Sequence, residues 1–510
     1  MNGVWPVLLT LGDKLAAHVL LSASALALGI AVALPLAVWA SRNAAVARVA
    51  LGFASLVQTI PALALLALFF PVLLSLRAVF GEGLPTLGFL PALLALALYA
   101  LLPILRNAVT ARAEMDAGVL DAADAVGMTR SQKLRLVEAP LAAPYVMAGI
   151  RTAAVWTIGA ATLSTTVGQP SLGDPIFAGL QTQDWSLVLA GCIASAGLAL
   201  AADGLLALVE RGLKTRRPAL AWTGAALIAL GLVAALVPGR GGDTRDTVVI
   251  GAKNFSEQYI LARVIGDRLE RAGYAVTYRE GLGSAVIHNA LTSGAIDVYV
   301  DYSGTVWANE MKRTGTPPRT EMLRQIAAWE AANGARMLGA LGFENAYAFA
   351  MKSEPARAEG IASLGDLAAK GRGLVLGGDL EFFRRPEWRA VDAAYGLGAL
   401  RQRNFAPTFM YDALASGEAD VITAFSSDGR IAADRLVVLA DPKGALPAYD
   451  AMLLVAPARA NDRRFVGALT PLVGAIPVET MREANFMVDR TVDKKSPDEA
   501  ARWLASRIGR

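Results

Sequence analysis

Six windows of this 510-residue chain are apolar over about the 20 residues needed to cross roughly 30 Å of hydrocarbon. They are His18–Trp39, Val49–Leu76, Leu87–Leu105, Ala143–Leu163, Leu187–Val209 and Leu220–Val237. All lie in the first half. Up to about Gly239 the chain is dominated by Ala, Leu, Val and Gly, and from Arg240 onward charged residues, Tyr, Asn and Asp reach the density of a soluble fold. The overall 18% of charged residues is therefore an average over a part in lipid and a part in water. A single soluble enzyme is excluded by this division.

The second window contains Gln58 and Pro61, a break tolerated in a membrane only where neighbouring helices or a cavity satisfy the freed backbone, so it is expected to face the bundle interior. Basic residues follow the first window (Arg42, Arg48), the third (Arg106, Arg112, Arg130, Lys133, Arg135) and the fifth (Arg211, Lys214, Arg216, Arg217). The alternate connections carry Arg77 or, between Thr165 and Ser186, no Lys or Arg. The positive-inside rule then places the three basic loops in the cytoplasm and the N-terminus outside. The sixth window exits outward, so everything after Pro238 is expected to be extracytoplasmic, in a bacterial plasma membrane protein. No basic stretch precedes the first apolar window, which reads as a retained span.

The net charge of +4 is accounted for by these loops, and nucleic-acid binding is not expected. Cys192 is the single cysteine and His18 and His288 the only histidines, too few soft ligands for a zinc or haem site. His18 reads as a membrane-interface residue and His288 as helix surface. Met311, Met351, Met410 and Met452 read as packing.

The loop at 116–142 carries the pattern LDAADAVGMTRSQKLRLVEAPLAAP. Asp121, Ala122 and Ala123 are small enough for a short helix to dock closely on a partner, Gly127 permits a tight bend, and Pro140 opens the next helix. A bland alternative is a membrane-surface helix. The loop resembles the EAA loop of binding-protein-dependent ABC importer permeases, with Asp121 where that family usually has Glu. No G-x-x-x-x-G-K-[ST] phosphate loop occurs in the chain. The resemblance therefore implies an ATPase on a separate polypeptide, carrying ATP and Mg, and no cofactor in this chain. A permease half without its second half implies a homodimer.

From Thr247, TVVIGAK reads as a strand, Ser256 caps a helix to about Arg271 with Phe255 and Ile260 as a hydrophobic staple, and Gly273 stops it. YAVTYRE is the next strand, Ser284 starts a short helix, and AIDVYVDY is another strand. Such alternation predicts α/β lobes with a largely parallel sheet, and about 260 residues suit two lobes. Ligands bind outside the carboxyl ends of such strands, here at KNFSEQ and DYSGT.

Seven segments occur in order: GAKNFSEQYIL, GLGSAVIHNAL, IDVYVDYSGT, ENAYAFAM, EFFRRPE, AFSSDGRI and LPAYDAMLL. Together they resemble the substrate-binding proteins of osmoprotectant importers for glycine betaine, choline and carnitine. The membrane half is similar to the permeases of the same systems. The resemblance implies an all-α transmembrane permease domain (1–217), a sixth span and linker (218–246), and an α/β two-lobed periplasmic-binding-protein fold of type II (247–510). Lobe 1 is about 247–345 and 447–510, and lobe 2 about 346–446.

A trimethylammonium group donates no hydrogen bond, so aromatic faces hold it by cation–π attraction, about 0.5–2 kcal/mol per face. Carried over by motif, the resemblance implies a box of Tyr302, Tyr347, Phe425 and Tyr449. Phe425 stands where the family generally has Tyr. It also implies Lys253, Arg385 and the Thr305 hydroxyl as donors to a ligand carboxylate, which favours a zwitterion over choline. A larger betaine such as ergothioneine is the alternative cargo. A membrane sensor would need a cytoplasmic effector domain, and an enzyme would need a partner for Ser426, Ser427 and Asp428; neither pattern is present, and Asp428 reads as a turn cap with Gly429.

Overall fold

The computed structural model describes residues 4–81, 84–182, 184–236, 245–313, 315, 317–379, 382–406, 409–490 and 492–509. The compositional boundary at Gly239 and Arg240, the window end at Val237 and Pro238 lie outside these. Two compact units divide the chain, Met1–Phe177 with Trp185–Gly242, and Ala178–Asp184 with Asp243–Arg510.

The first unit is helical: α1 Val4–Thr10, α2 Gly12–Ala40, α3 Ala44–Thr59, α4 Ala62–Phe80, α5 Phe89–Ala113, α6 Ala117–Ala125, α7 Arg130–Lys133, α8 Ala139–Ala161, α9 Gly173–Thr182, α10 Trp185–Lys214 and α11 Pro218–Leu236. Six helical stretches among the described residues are long and apolar enough to cross a membrane. The second apolar window is two helices rather than one, because Ile60 and Pro61 are extended between α3 and α4. Proline supplies no N–H and disfavours helix in the residue before it. The break is satisfied by α5: Tyr99 Oη donates to the Ile60 carbonyl, and Gln58 Nε2 donates to the Tyr99 carbonyl at 3.3 Å.

Small residues set the close crossings, as expected where helices pack in lipid. A methyl at Gly29 of α2 would lie 2.8 Å from Ala100 Cβ of α5, and one at Gly149 of α8 would lie 2.7 Å from the Pro103 carbonyl. His18 is not an interface residue. It is fully buried, with Nε2 3.0 Å from the Ile158 carbonyl and Nδ1 accepting from Leu172 N–H, so it ties α2 to the end of α8.

In the loop that follows α5, Asp116 caps α6 and Gly127 turns the chain at φ +76°. Thr129 and Gln132 then form a capping box at α7. Pro140 does not open a new helix. The helical path from α7 enters α8 through a π-turn at Leu134–Glu138, where Ala139 N–H reaches back to the Leu134 carbonyl, and Pro140 sits at the second position of α8. Glu138 is buried, paired with Arg112 at 3.2 Å and Arg42 at 4.0 Å, which anchors the loop to α5 and to the end of α2.

The second unit holds two five-stranded sheets. Strands β1 Thr247–Lys253, β2 Ala275–Leu282, β3 Val298–Tyr302, β4 Arg336–Glu344 and β10 Asp450–Val455 form one, in the order β2-β1-β3-β10-β4. Strands β5 Tyr347–Lys352, β6 Val375–Gly378, β7 Arg401–Asn404, β8 Val421–Phe425 and β9 Leu436–Val438 form the other, in the order β7-β6-β8-β5-β9. The sheets are mixed, not largely parallel. β10 runs antiparallel to β3 and β4, and β5 antiparallel to β8 and β9, because the chain leaves the first sheet at Asn345 and returns to it only at Asp450. The helix Ser256–Arg271 forms as expected and stops at Gly273, φ +91°, but Ser256 does not cap it; its hydroxyl donates to Asp489 at 2.6 Å.

Candidate ligand-binding site

Strand ends carry the site. Lys253 ends β1, Tyr302 ends β3 with Thr305 in the helical turn that follows, and Tyr449 immediately precedes β10. On the other sheet, Tyr347 opens β5 directly opposite Phe425 at the end of β8. Arg385 precedes Pro386 at the start of the helix Pro386–Tyr395, where a proline needs no N–H partner. All seven line a single cavity of about 590 Å³.

Three of the four rings meet. Tyr347 has its ring centroid 4.9 Å from Phe425 and stands edge-on to Tyr449 at 5.5 Å. Tyr302 lies in the same cavity but stacks on Phe255 at 6.1 Å. Its hydroxyl donates to Glu257 at 2.6 Å and accepts from Gln258 at 2.9 Å. Burial and the Glu257 charge push that phenol well above its ordinary pKa, so the ring is a neutral face.

Both cations arrive with carboxylates. Lys253 Nζ pairs with Asp301 and sits 5.3 Å from the Tyr302 ring centre. The Arg385 guanidinium makes two 3.2 Å bonds to Glu387 and lies 5.4 Å from the Tyr347 ring centre. Tyr449 Oη donates to the same Glu387 and accepts from Arg385 at 3.4 Å. The two cations are therefore buried, neutralised donors, 2% and 7% exposed, rather than solvated surface charges. They offer directed N–H groups to an anion without a large net positive field.

Several lining residues went unnoticed in the sequence. Phe255, read from the sequence only as a helix staple, and Glu257 lie inside GAKNFSEQYIL, and Asn345 lies inside ENAYAFAM; none was marked as a cavity residue. Phe382, inside EFFRRPE, is fully buried and packs 4.8 Å from Tyr347. Asn485 and Asp489 sit in the helix Val478–Asp489, which carries no motif. Asp428 does more than cap a turn. It accepts from Phe425 N–H at 3.1 Å and from the Tyr411 hydroxyl, and burial, with Asp489 close by, raises its pKa to about 7. His288 is not helix surface either: it is 4% exposed, 3.0 Å from Glu330, and although burial opposes its charge, Glu330 and Glu310 raise its pKa.

A two-sheet α/β unit with a ligand cavity at its strand ends, following a bundle of membrane-length helices, defines a permease joined to a substrate-binding domain. The chain belongs to the glycine betaine family of ABC importers: residues 246–506 match the substrate binding domain of ABC-type glycine betaine transport systems, and residues 25–215 match the inner membrane component of binding-protein-dependent transport systems. The ergothioneine transport permease/ergothioneine binding protein of Helicobacter pylori is 30% identical over 470 residues, covering 88% of this chain and 82% of that protein. The glycine betaine/carnitine/choline transport permease OpuCB of Bacillus subtilis is 39% identical over 215 residues, 41% of this chain and 94% of the relative. A crystal structure of a glycine betaine/carnitine/choline ABC transporter aligns at 26% identity and TM-score 0.45, covering 50% of this chain and 97% of the other. The chain is a multi-pass membrane transport component, a fused permease and binding domain, and its permease family implies an ABC ATPase partner and a small ligand.

Proposed function

We propose that this chain captures a quaternary-amine zwitterion of the glycine betaine type outside the cell and passes it through a homodimeric pathway. A separate cytoplasmic ATPase drives the cycle, with ATP and Mg on that subunit and no cofactor here. The observation that carries the reading is the placing of Phe425 and Tyr449 around Tyr347, at 4.9 and 5.5 Å between ring centroids, in the cavity that Tyr302, Lys253, Thr305 and Arg385 also line. The rings take the ammonium by cation–π attraction. Lys253, Arg385 and Thr305 take the carboxylate. Because Lys253, Tyr302, Thr305 and Tyr449 belong to one lobe and Tyr347, Arg385 and Phe425 to the other, ligand closes the cleft by engaging both.

On the cytoplasmic side, Asp121, Ala122 and Gly127 are exposed and Ala123 is buried, so α6 presents small groups to the ATPase while Pro140 and the buried Glu138 fix the base of the loop. The basic loops orient the protein with this face in the cytoplasm and the binding domain and N-terminus outside the bacterial plasma membrane. The fused Helicobacter relative favours a second reading, a larger betaine such as ergothioneine as cargo.

Calorimetric titration of the full-length protein in nanodiscs with glycine betaine, carnitine, choline and ergothioneine tests both readings. At least one amine should bind, and Tyr347→Ala should weaken it about tenfold or more, as loss of one cation–π face and its ring contacts requires. Binding of none, or unchanged binding by Tyr347→Ala, would sink the cage.

A further inference from the structure

We infer that Asp428 is the cavity's counter-ion to the cargo and gives up a proton when the cargo arrives, so that capture of a quaternary amine releases a proton and strengthens as pH rises through neutrality. This rests on the quaternary-amine reading above and adds to it a residue and a dependence on pH.

Asp428 lines the cavity and is only half-buried. It follows β8, whose last residue, Phe425, supplies one of the rings. Its side-chain hydrogen bonds fall on a single oxygen: Oδ2 accepts from Phe425 N–H at 3.1 Å and from the Tyr411 hydroxyl. Among the described residues no donor is bonded to Oδ1, which leaves that oxygen to carry the proton of the neutral acid. When the proton leaves, the two donors on Oδ2 stay where they are and serve the carboxylate, so the charge forms without rearrangement.

The groups packed around Asp428 leave its charge to be decided by the cargo. Glu257 and Asp489 line the same cavity; Glu257 is met by Tyr302, Asn345 and Asn485, and Asp489 by the Ser256 hydroxyl at 2.6 Å. Arg430, on the helix Gly429–Ala433, lies 3.8 Å from Asp412 and 5.3 Å from the Tyr411 ring centre. Lys253 and Arg385, the other cations of the lining, are paired with Asp301 and Glu387. Burial raises the Asp428 pKa to about 7; the Tyr411 bond opposes the rise, and the Asp489 and Glu257 charges add to it. Without cargo, acid and carboxylate are therefore nearly equal in stability close to neutrality. A permanent cation held among the rings favours the carboxylate. By linkage, a cargo that lowers this pKa binds the deprotonated form more tightly, and the proton from Oδ1 passes to bulk water.

The test is calorimetric titration of the full-length protein in nanodiscs with glycine betaine, carnitine, choline and ergothioneine, each in two buffers of different ionisation enthalpy. None of these probes takes up or loses a proton near neutrality, so a released proton comes from the protein. If bound cargo brings the Asp428 pKa from about 7 to between about 5 and 6, binding at about pH 6.5 releases about 0.5–0.7 proton, and affinity is about five- to ninefold weaker at about pH 6 than at about pH 8. Asp428→Asn should release no proton and should bind equally at both pH values, with about the affinity of the wild type in acid. Tyr411→Phe keeps Asp428 but removes a donor that serves its carboxylate, so the same pH dependence should move upward. Burial raises the Asp489 pKa as well, which makes it the rival source. Release that persists in Asp428→Asn, or a pH dependence unmoved by Tyr411→Phe, overturns the assignment. Binding by the wild type without release overturns the counter-ion and leaves the cage intact, and binding of none of the four overturns both.

Discussion

Gly304 decides whether Tyr449 can stand where the cavity needs it. A methyl built on Gly304 lies 2.5 Å from two Tyr449 ring carbons and 2.7 Å from a third, whereas ordinary contact begins at 3.4 Å. In Gly304→Ala the ring must therefore retreat by about 0.9 Å, the difference between 3.4 and 2.5 Å. Retreat is opposed on every side: Tyr449 is 3% exposed, its hydroxyl is tied to Glu387 and Arg385, and Tyr347 stands edge-on to it at 5.5 Å. Overpacking of this kind costs about 1–3 kcal/mol. If the ligand-holding arrangement bears that cost, the dissociation constant rises about 5- to 150-fold, at 1.4 kcal/mol per factor of ten. The assay is calorimetric titration of wild type and variant with the amine that wild type binds most tightly, beside thermal unfolding of each. Gly467→Ala is the control: nothing lies within 4 Å of the added methyl, and the residue is inside the helix Arg463–Leu469. That change should add up to about 1 kcal/mol of helix stability and leave affinity alone. Wild-type affinity in Gly304→Ala would refute the argument that the Tyr449 ring is held by its packing at a ligand-contacting position.

Glu387→Ala leaves the Arg385 guanidinium buried without its carboxylate, and urea unfolding should show a loss of about 3–5 kcal/mol, larger than that of any exposed ion pair such as Arg403–Glu418. Asp428 has a folded pKa of about 7 against 3.8 for the free side chain, so the folded protein holds an extra proton between these values and stability falls as pH rises from about 4 to about 7. Asp428→Asn should flatten that slope in urea melts at stepped pH; an unchanged slope assigns it to other groups. Gly127 turns the loop between α6 and α7 at φ +76°, which a β-branched side chain resists, so, on the proposed coupling role, Gly127→Val should abolish uptake by cells while ligand affinity of the purified protein stays within about twofold. Loss of affinity in that variant would mean that the loop is not a separate coupling element.

Hydropathy carried the membrane half because a span is a property of about 20 successive residues, and averaging over them suffices. The break at Pro61 was legible from the proline, but that it splits the window into two helices, and that Tyr99 of another helix satisfies it, depends on backbone conformations and partners no window shows. The rings of the cavity were legible because each sits in a short segment next to a strand end. Their electrostatic setting was not. Asp301 and Glu387 stood in plain view within the segments around Tyr302 and Arg385, yet local order says only that a carboxylate is near in sequence, and Lys253 lies 48 residues from the Asp301 that neutralises it. His288 reads as surface by local pattern because its partner Glu330 is 42 residues away. The lining around Glu257 is the extreme case. Glu257 and Asn485 are separated by 228 residues and meet only because β10 and the helix Val478–Asp489 return to the first sheet after the chain has built the second. Residues that bind through a local motif can be read one segment at a time, but a ligand's selectivity is set by what those segments are folded against.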